Sequence, residues 1–191
     1  GTQIDFAMVR VPGNPEAGIE PFYIATHEVT WRDMYDWMYI TDIEDPQRIA
    51  RLIEAGLRPS PLYELQQGYQ VDDRDNPAMG MTRWTAEIYC DWLSELTGRR
   101  YRLPTLAEWR HAAELGGGLP SDLDAAAWHA GNAPENETWL IPKSAPVASK
   151  QPNALGLYDM FGNVAEWVIH PEGIHIIVGG SINNPPAEIS A

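Results

Sequence analysis

The chain of 191 residues carries 27 Asp and Glu against 13 Lys and Arg, a formal net charge of −14, which repels a phosphate backbone and excludes nucleic-acid binding as a primary role. A hydrophobic content of 44% with eight Trp and eight Tyr excludes wholesale disorder, and the length suits one domain with a sizeable core. The single cysteine, Cys90, excludes an internal disulfide, a Cys-based zinc site and a CxxC redox pair, and no apolar run approaches the roughly 18–20 residues that span a bilayer.

In chain order, IDFAMVRVPG alternates apolar and other residues up to Pro12-Gly13 and predicts a strand and a turn. PFYIATHEV at 21–29 predicts a second strand. Thr30 then stands three residues before Asp33, with Trp31, Met34, Tyr35 and Met38 at helical spacing, so Thr30 is an N-cap candidate. Residues 41–78 are irregular apart from one helical pattern, Ile49, Leu52, Ile53 and Leu57, between Pro46 and Pro59. This segment reads as an elaboration on a single domain covering 1–191. From Thr82, Trp84, Ile88, Trp92 and Leu96 recur every four residues, flanked by Tyr89 and Leu93, and Gly98 stops the helix. Cys90 lies inside it as a small packed side chain.

Thr105 and Glu108 form a capping-box pattern after Pro104, Trp109, Ala112 and Ala113 face inward, and Gly116-Gly117-Gly118 terminates a second main helix. Periodicity then fades until a hairpin, Trp167–His170 and Ile174–Val178 around Pro171–Gly173. The five histidines, His27, His111, His129, His170 and His175, show no HxxxH or HxH spacing, although His170 and His175 can face one another across that hairpin. With 16 Gly and 16 Pro, above the roughly 12% of ordinary usage, the chain reads as loop-rich α+β.

The stretch GLYDMFGNVAEW, residues 156–167, places Asp159 and Glu166 seven residues apart with two glycines and an asparagine. A metal loop, an acid/base pair and a tightly turned piece of core are the alternatives. No nucleophile or basic partner shares the motif, which disfavours the acid/base pair.

Four stretches, FYIATHEVTW, GMTRWTAEIYCDWLSELTGRRYRLPTLAEW, PNALGLYDMFGNVAEW and VGGS, together and in this order resemble the formylglycine-generating enzyme family, also called the sulfatase-modifying factor family. The likeness runs from Met8 to Ser181. It implies a variant of the C-type-lectin fold, with two main helices and short antiparallel sheets. It also implies a calcium ion held by the Asp159 side chain, the carbonyls of Gly162 and Val164, and the Glu166 carboxylate. Calcium takes six to eight oxygens at about 2.3–2.6 Å, and a turning Gly-Asn backbone can aim carbonyls inward. The competing reading has Asp159 and Glu166 accepting backbone N–H groups in the turn.

The resemblance also fixes what is missing. Enzymes of the family oxidise a substrate cysteine with two copper(I)-binding cysteines shortly after GGS, and here the matching positions are Asn184 and Ile189. Copper(I) is soft and selects thiolates, so no copper is expected, and Ser181 reads as a structural hydroxyl. The related iron sulfoxide synthases draw most of their three metal-binding histidines from a helical domain that this sequence does not contain. Family members continue some tens of residues past GGS into a closing strand, so the C-terminus reads as shortened.

The expectation is a non-catalytic binding or accessory subunit of a larger protein complex, with Trp128, Trp139 and the 41–78 segment as places to seek the protein partner. A metal-dependent thiol oxidase with ligands outside this chain and a lectin-like carbohydrate- or peptide-binding module are the alternatives. The absence of an initiator Met, the calcium-like loop and the habit of the family suit a processed, bacterial, extracytoplasmic (periplasmic or secreted) protein.

Overall fold

A computed structural model describes residues 7–39, 46–56, 74–135 and 143–190. The elements are β1 (Met8–Val11), β2 (Phe22–Ala25), α1 (Trp31–Tyr39), α2 (Pro46–Glu54), α3 (Arg83–Thr97), α4 (Leu106–Leu115), α5 (Leu123–Ala126), β3 (Glu166–Ile169) and β4 (His175–Val178), with 3-10 turns at Pro15–Ala17 and Pro186–Glu188. They cluster into two compact units, one on Val29–Leu103, the other on Phe6–Glu28 with Pro104–Ala191. Among the described residues no helix is long and apolar enough to cross a membrane.

In the Val29–Leu103 unit, α1 begins where its sequence says it should. The Thr30 backbone N–H and hydroxyl both donate to Asp33 Oδ2, at 2.8 and 2.6 Å. The first helical N–H groups, on Trp31 and Arg32, reach the carbonyls of Asn76 and Arg74 at 3.0 Å, so donors that a helix leaves orphaned are satisfied by the returning chain. Thr82 caps α3 by accepting from Thr85 N–H at 3.2 Å, and Gly98 ends it in a left-handed conformation. The face that α3 buries is Tyr89, Trp92 and Leu93. Trp84, at the head of the four-residue row, is exposed instead, because the row slides around the cylinder by about 40° per step at 3.6 residues per turn. Tyr89 stacks edge-on with Trp37, ring centres 5.9 Å apart, and tilts against Trp92 at 5.3 Å. Cys90 is half-buried, and desolvation, with the charges of Asp91 and Glu87, pushes its thiol up to about 12. It is an inert packed thiol at neutral pH. The anticipated pattern at Ile49–Leu57 ends earlier, at Glu54, and residues 57–73 lie outside the described residues.

The second unit holds two two-stranded antiparallel sheets. β1 pairs β2 from Met8 opposite Ala25 to Val11 opposite Phe22. β3 pairs β4 from Glu166 opposite Val178 to Ile169 opposite His175. That register corrects one expectation: His175 faces Ile169, while His170 sits in the turn, its N–H donating to Ile174 at 2.8 Å. The anticipated strand at 21–29 stops at Ala25, since its next residues turn to meet the 156–167 stretch. The anticipated strand from Ile4 is described from Met8 onward.

Between the sheets in sequence, α4 carries the complete Thr105–Glu108 capping box, and α5 is a four-residue turn capped by Asp122. The core joins Trp109, Ala112 and Ala113 of α4 with Val11, Leu157, Phe161, Val168 and Ile189. Trp109 and Phe161 meet edge to face at 5.9 Å. Among the described residues the α3 and α4 helices are the two longest, as the sequence implies.

Candidate functional site

The 156–167 stretch lies along the segment that leaves β2. Tyr158 N–H donates to the Thr26 carbonyl at 2.8 Å, which brings Glu28 against the loop. Glu28 Oε1 accepts from Val164 N–H at 2.8 Å and Oε2 from the Asn163 side-chain amide at 2.8 Å. Asn163, with no exposed surface, is the hub. Its Oδ1 accepts from Ala145 N–H at 3.0 Å, and its Nδ2 also donates to the Ala145 carbonyl at 3.2 Å. Its backbone N–H reaches Trp128 O at 2.8 Å, and its carbonyl accepts from Ile182 N–H at 3.0 Å.

Backbone conformation explains the residue types. Asp159, Gly162 and Asn163 all have positive φ, at 56°, 81° and 49°, a region that Asn and Asp tolerate and that glycine enters without steric cost. Gly162 has a second reason: a Cβ there would lie 2.1 Å from the Trp128 carbonyl oxygen.

Three acids gather here. Glu166 Oε2 accepts from the indole N–H of Trp109 at 3.0 Å. Asp159 is 3% exposed; its Oδ2 accepts from Ala148 N–H at 2.6 Å, while Oδ1 has no hydrogen-bond partner. Desolvation, then the charges of Asp159 and Glu166, drive the Glu28 carboxyl well above its ordinary range. Desolvation also raises Asp159, offset in part by the Ala148 bond and by His27. Glu166 is pushed up to about 7 by desolvation, with Asp159 adding to it and the Trp109 bond opposing it. Carboxyls raised chiefly by desolvation, and for Glu28 and Glu166 further by neighbouring acids, make a site that favours protons or a cation.

Oxygen donors of this kind would suit a hard cation. Asp159 leaves one desolvated oxygen without a partner, and Asp159, Gly162, Val164 and Glu166 share one pinned turn. Among the described residues no three His, Cys, Asp or Glu side chains converge to hold a metal; the expected set has only two carboxylates and needs backbone carbonyls to complete it. Glu28, which the sequence reading did not single out, does not replace either; it clamps the backbone of Val164 and the side chain of Asn163.

Asn184 and Ile189, which the resemblance matches to copper-binding cysteines, are placed as follows. Ser181 donates N–H and hydroxyl to Asn184 Oδ1, both at 3.0 Å. The Asn184 carbonyl accepts from Ala130 N–H at 3.0 Å, and Ile189 belongs to the core. Trp128 is half-buried, with Lys150 Nζ 3.9 Å from its ring centre and its N–H on Ser149 at 2.9 Å. Trp139 lies outside the described residues.

A family model described as the sulfatase-modifying factor enzyme 1-like domain matches residues 8–190. The chain belongs to that family. Curated relatives include the chaperone protein LppX of Paenibacillus barcinonensis, 30% identical over 185 residues, covering 85% of this chain and 59% of that protein. They also include the formylglycine-generating enzyme of Thermomonospora curvata, 33% identical over 170 residues, covering 76% of this chain and 54% of that one. The serine/threonine-protein kinase pkn1 of Chlamydia pneumoniae is 29% identical over 155 residues, 78% of this chain but 22% of the kinase. The chain thus spans three-fifths or less of each of these. The solved structure of CarF superposes with a TM-score of 0.62 at 22% identity, covering 98% of this chain and 91% of that one. PvdO from Pseudomonas aeruginosa gives 0.60 at 24%, covering 95% and 81%. This sulfatase-modifying-factor-type domain therefore has the mixed α and β fold of formylglycine-generating-enzyme type.

Proposed function

We propose that this sulfatase-modifying-factor-type domain is a non-catalytic, calcium-stabilised module that serves as a binding or accessory subunit in a larger complex. The observation that carries the reading is the 181–189 turn. Asn184 closes a polar turn on Ser181, Ile189 is buried, and neither offers copper(I) a soft ligand. Cys90 is far in sequence from that turn, and its raised thiol is a poor nucleophile. Relatives bearing names as different as chaperone and kinase support a module put to more than one use.

Asp159, Glu166 and the carbonyls of Gly162 and Val164 would hold the calcium. Its charge would neutralise the acids and fix the turn. A calcium module suits an extracytoplasmic, bacterial setting, where calcium is plentiful. The second reading, a thiol oxidase completed by ligands from outside this chain, draws its support from the relatives named formylglycine-generating enzyme.

Incubation with copper(I), oxygen and a peptide carrying the sulfatase-type cysteine motif tests the choice. Mass spectrometry is expected to return the peptide no more changed than a copper-only control. Conversion to an aldehyde well above that control would replace the first reading with the second.

A further inference from the structure

Glu28 accepts from the Asn163 side-chain amide at Oε2 and from Val164 N–H at Oε1, both at 2.8 Å. Both carboxylate oxygens already hold donors, which sets Glu28 outside the ring of atoms that would touch a cation. The oxygens left over are others. Among the described residues no backbone N–H donates to the carbonyls of Gly162 or Val164. Asp159 Oδ1 has no donor, and Glu166 commits Oε2 to the Trp109 indole.

The aim of the two carbonyls follows from where the neighbouring peptides are tied. A trans peptide directs its N–H and its C=O to opposite sides. Asn163 N–H donates to Trp128 O at 2.8 Å, so the Gly162 carbonyl, in the same peptide, points away from Trp128. The next peptide is tied at both ends, Asn163 O accepting from Ile182 N–H at 3.0 Å and Val164 N–H donating to Glu28. Two residues further on, Glu166 enters β3 opposite Val178. The Val164 carbonyl thus has a fixed peptide on one side and a paired strand on the other, and its direction is set between them. Of the ties on these two peptides, the one from Glu28 is made by a side chain. Glu28 also holds Asn163 from its side-chain end, at a residue whose backbone sits at a φ of 49°. Asp159 and Glu166 both repel a charge on Glu28, a repulsion that a cation among them offsets.

We propose that Glu28 is a positioning residue for calcium: by holding Val164 N–H and the Asn163 side chain it aims the Val164 carbonyl at the ion, and so sets the affinity of the loop without touching the metal. The inference deepens the calcium reading and rests on it.

The test uses the full chain at pH 8, stripped by a chelator, dialysed and titrated with calcium by calorimetry. Glu28→Gln keeps the size of the side chain but sets an amide –NH2 against one of its two donors. Glu28→Asp keeps the charge but retracts it by one methylene. Both are expected to weaken calcium binding about tenfold, the low end of what partners of metal ligands contribute. Thr105→Ala, at the N-cap of α4, is the control for a merely structural loss: it should lower the melting temperature while leaving calcium affinity at the wild-type value. Wild-type affinity in both Glu28 variants would overturn the proposal. So would a Glu28→Asp that binds as tightly as wild type beside a weakened Glu28→Gln, since charge and not position would then act. Hydrogen exchange of the wild-type chain needs no variant. Val164 N–H should be protected in the chelated protein as well as in calcium, because Glu28 holds it before the metal arrives. A Val164 amide that exchanges freely until calcium is added would overturn the proposal even where both variants fail to fold. A wild-type chain that takes up no calcium would overturn the calcium reading and this inference together, whereas unweakened variants of a calcium-binding chain overturn this inference alone.

Discussion

Asn163 and Gly162 hold the site at single-residue resolution. Asn163→Ala removes bonds to Glu28 and to both backbone groups of Ala145, leaving desolvated polar atoms behind, and should cost about 2–4 kcal/mol in urea unfolding. Gly162→Ala meets both a φ of 81° and the Trp128 carbonyl, so a loss of at least about 2 kcal/mol is expected. Glu166 shares the pH behaviour with Glu28 and Asp159, whose carboxyls are raised as well. Its folded carboxyl sits at about 7 against an ordinary 4.5, so without a metal its contribution is fully present below about 4.5 and is lost as pH rises through 7. At about 1.4 kcal/mol per unit, discounted for residual solvent screening, the loss is of order 1–3 kcal/mol. Chelator-treated protein should therefore melt lower at pH 8 than at pH 5, and Glu166→Gln should reduce that slope, Glu28 and Asp159 keeping a share of it. A wild-type slope that survives Glu166→Gln would place the titration elsewhere. Of these residues, the sequence makes Asp159 and Glu166 legible because they share a twelve-residue motif. Glu28 is not legible, since its partners Asn163 and Val164 lie 135 and 136 positions away and nothing local marks the pairing.

Helices announce themselves by their ends, which is why the sequence places α1, α3 and α4 to within about a residue. Thr30, Thr82 and Thr105 each accept from a backbone N–H three residues on, at Asp33, Thr85 and Glu108, bonds that are short in sequence. In α4 the Glu108 carboxylate returns to Thr105 N–H at 2.8 Å, so Thr105→Ala should cost about 1 kcal/mol and is read by thermal melting. A change below about 0.3 kcal/mol would mean that packing of Trp109 alone fixes the helix start. What local pattern misses is equally physical. The four-residue α5 is too short for periodicity and shows only as Asp122 ahead of Leu123. Strand ends at Ala25 and Ile169 are set by partners distant in sequence, and the His170–His175 expectation fails because a turn, not a pair, holds His170.

Across the whole molecule, fold and chemistry separate. The domain has the family's fold, while at the two positions that the resemblance matches to copper-binding cysteines the 181–189 segment carries an asparagine and a buried isoleucine. On the proposed reading, a scaffold that kept its loops without those thiolates would still suit recognition. If the proposed accessory role holds, the formal charge of −14 would favour a basic partner and make the association salt-sensitive. The central structural claim is that the acids around the 156–167 turn are held by calcium, and a melting curve at pH 8 with and without a calcium chelator tests it most directly. Calcium that binds only the folded chain stabilises it in proportion to occupancy, so chelation should lower the melting temperature and Glu166→Ala should abolish the difference. Superimposable wild-type curves with and without chelator would contradict the account and leave Asp159 and Glu166 as turn residues alone.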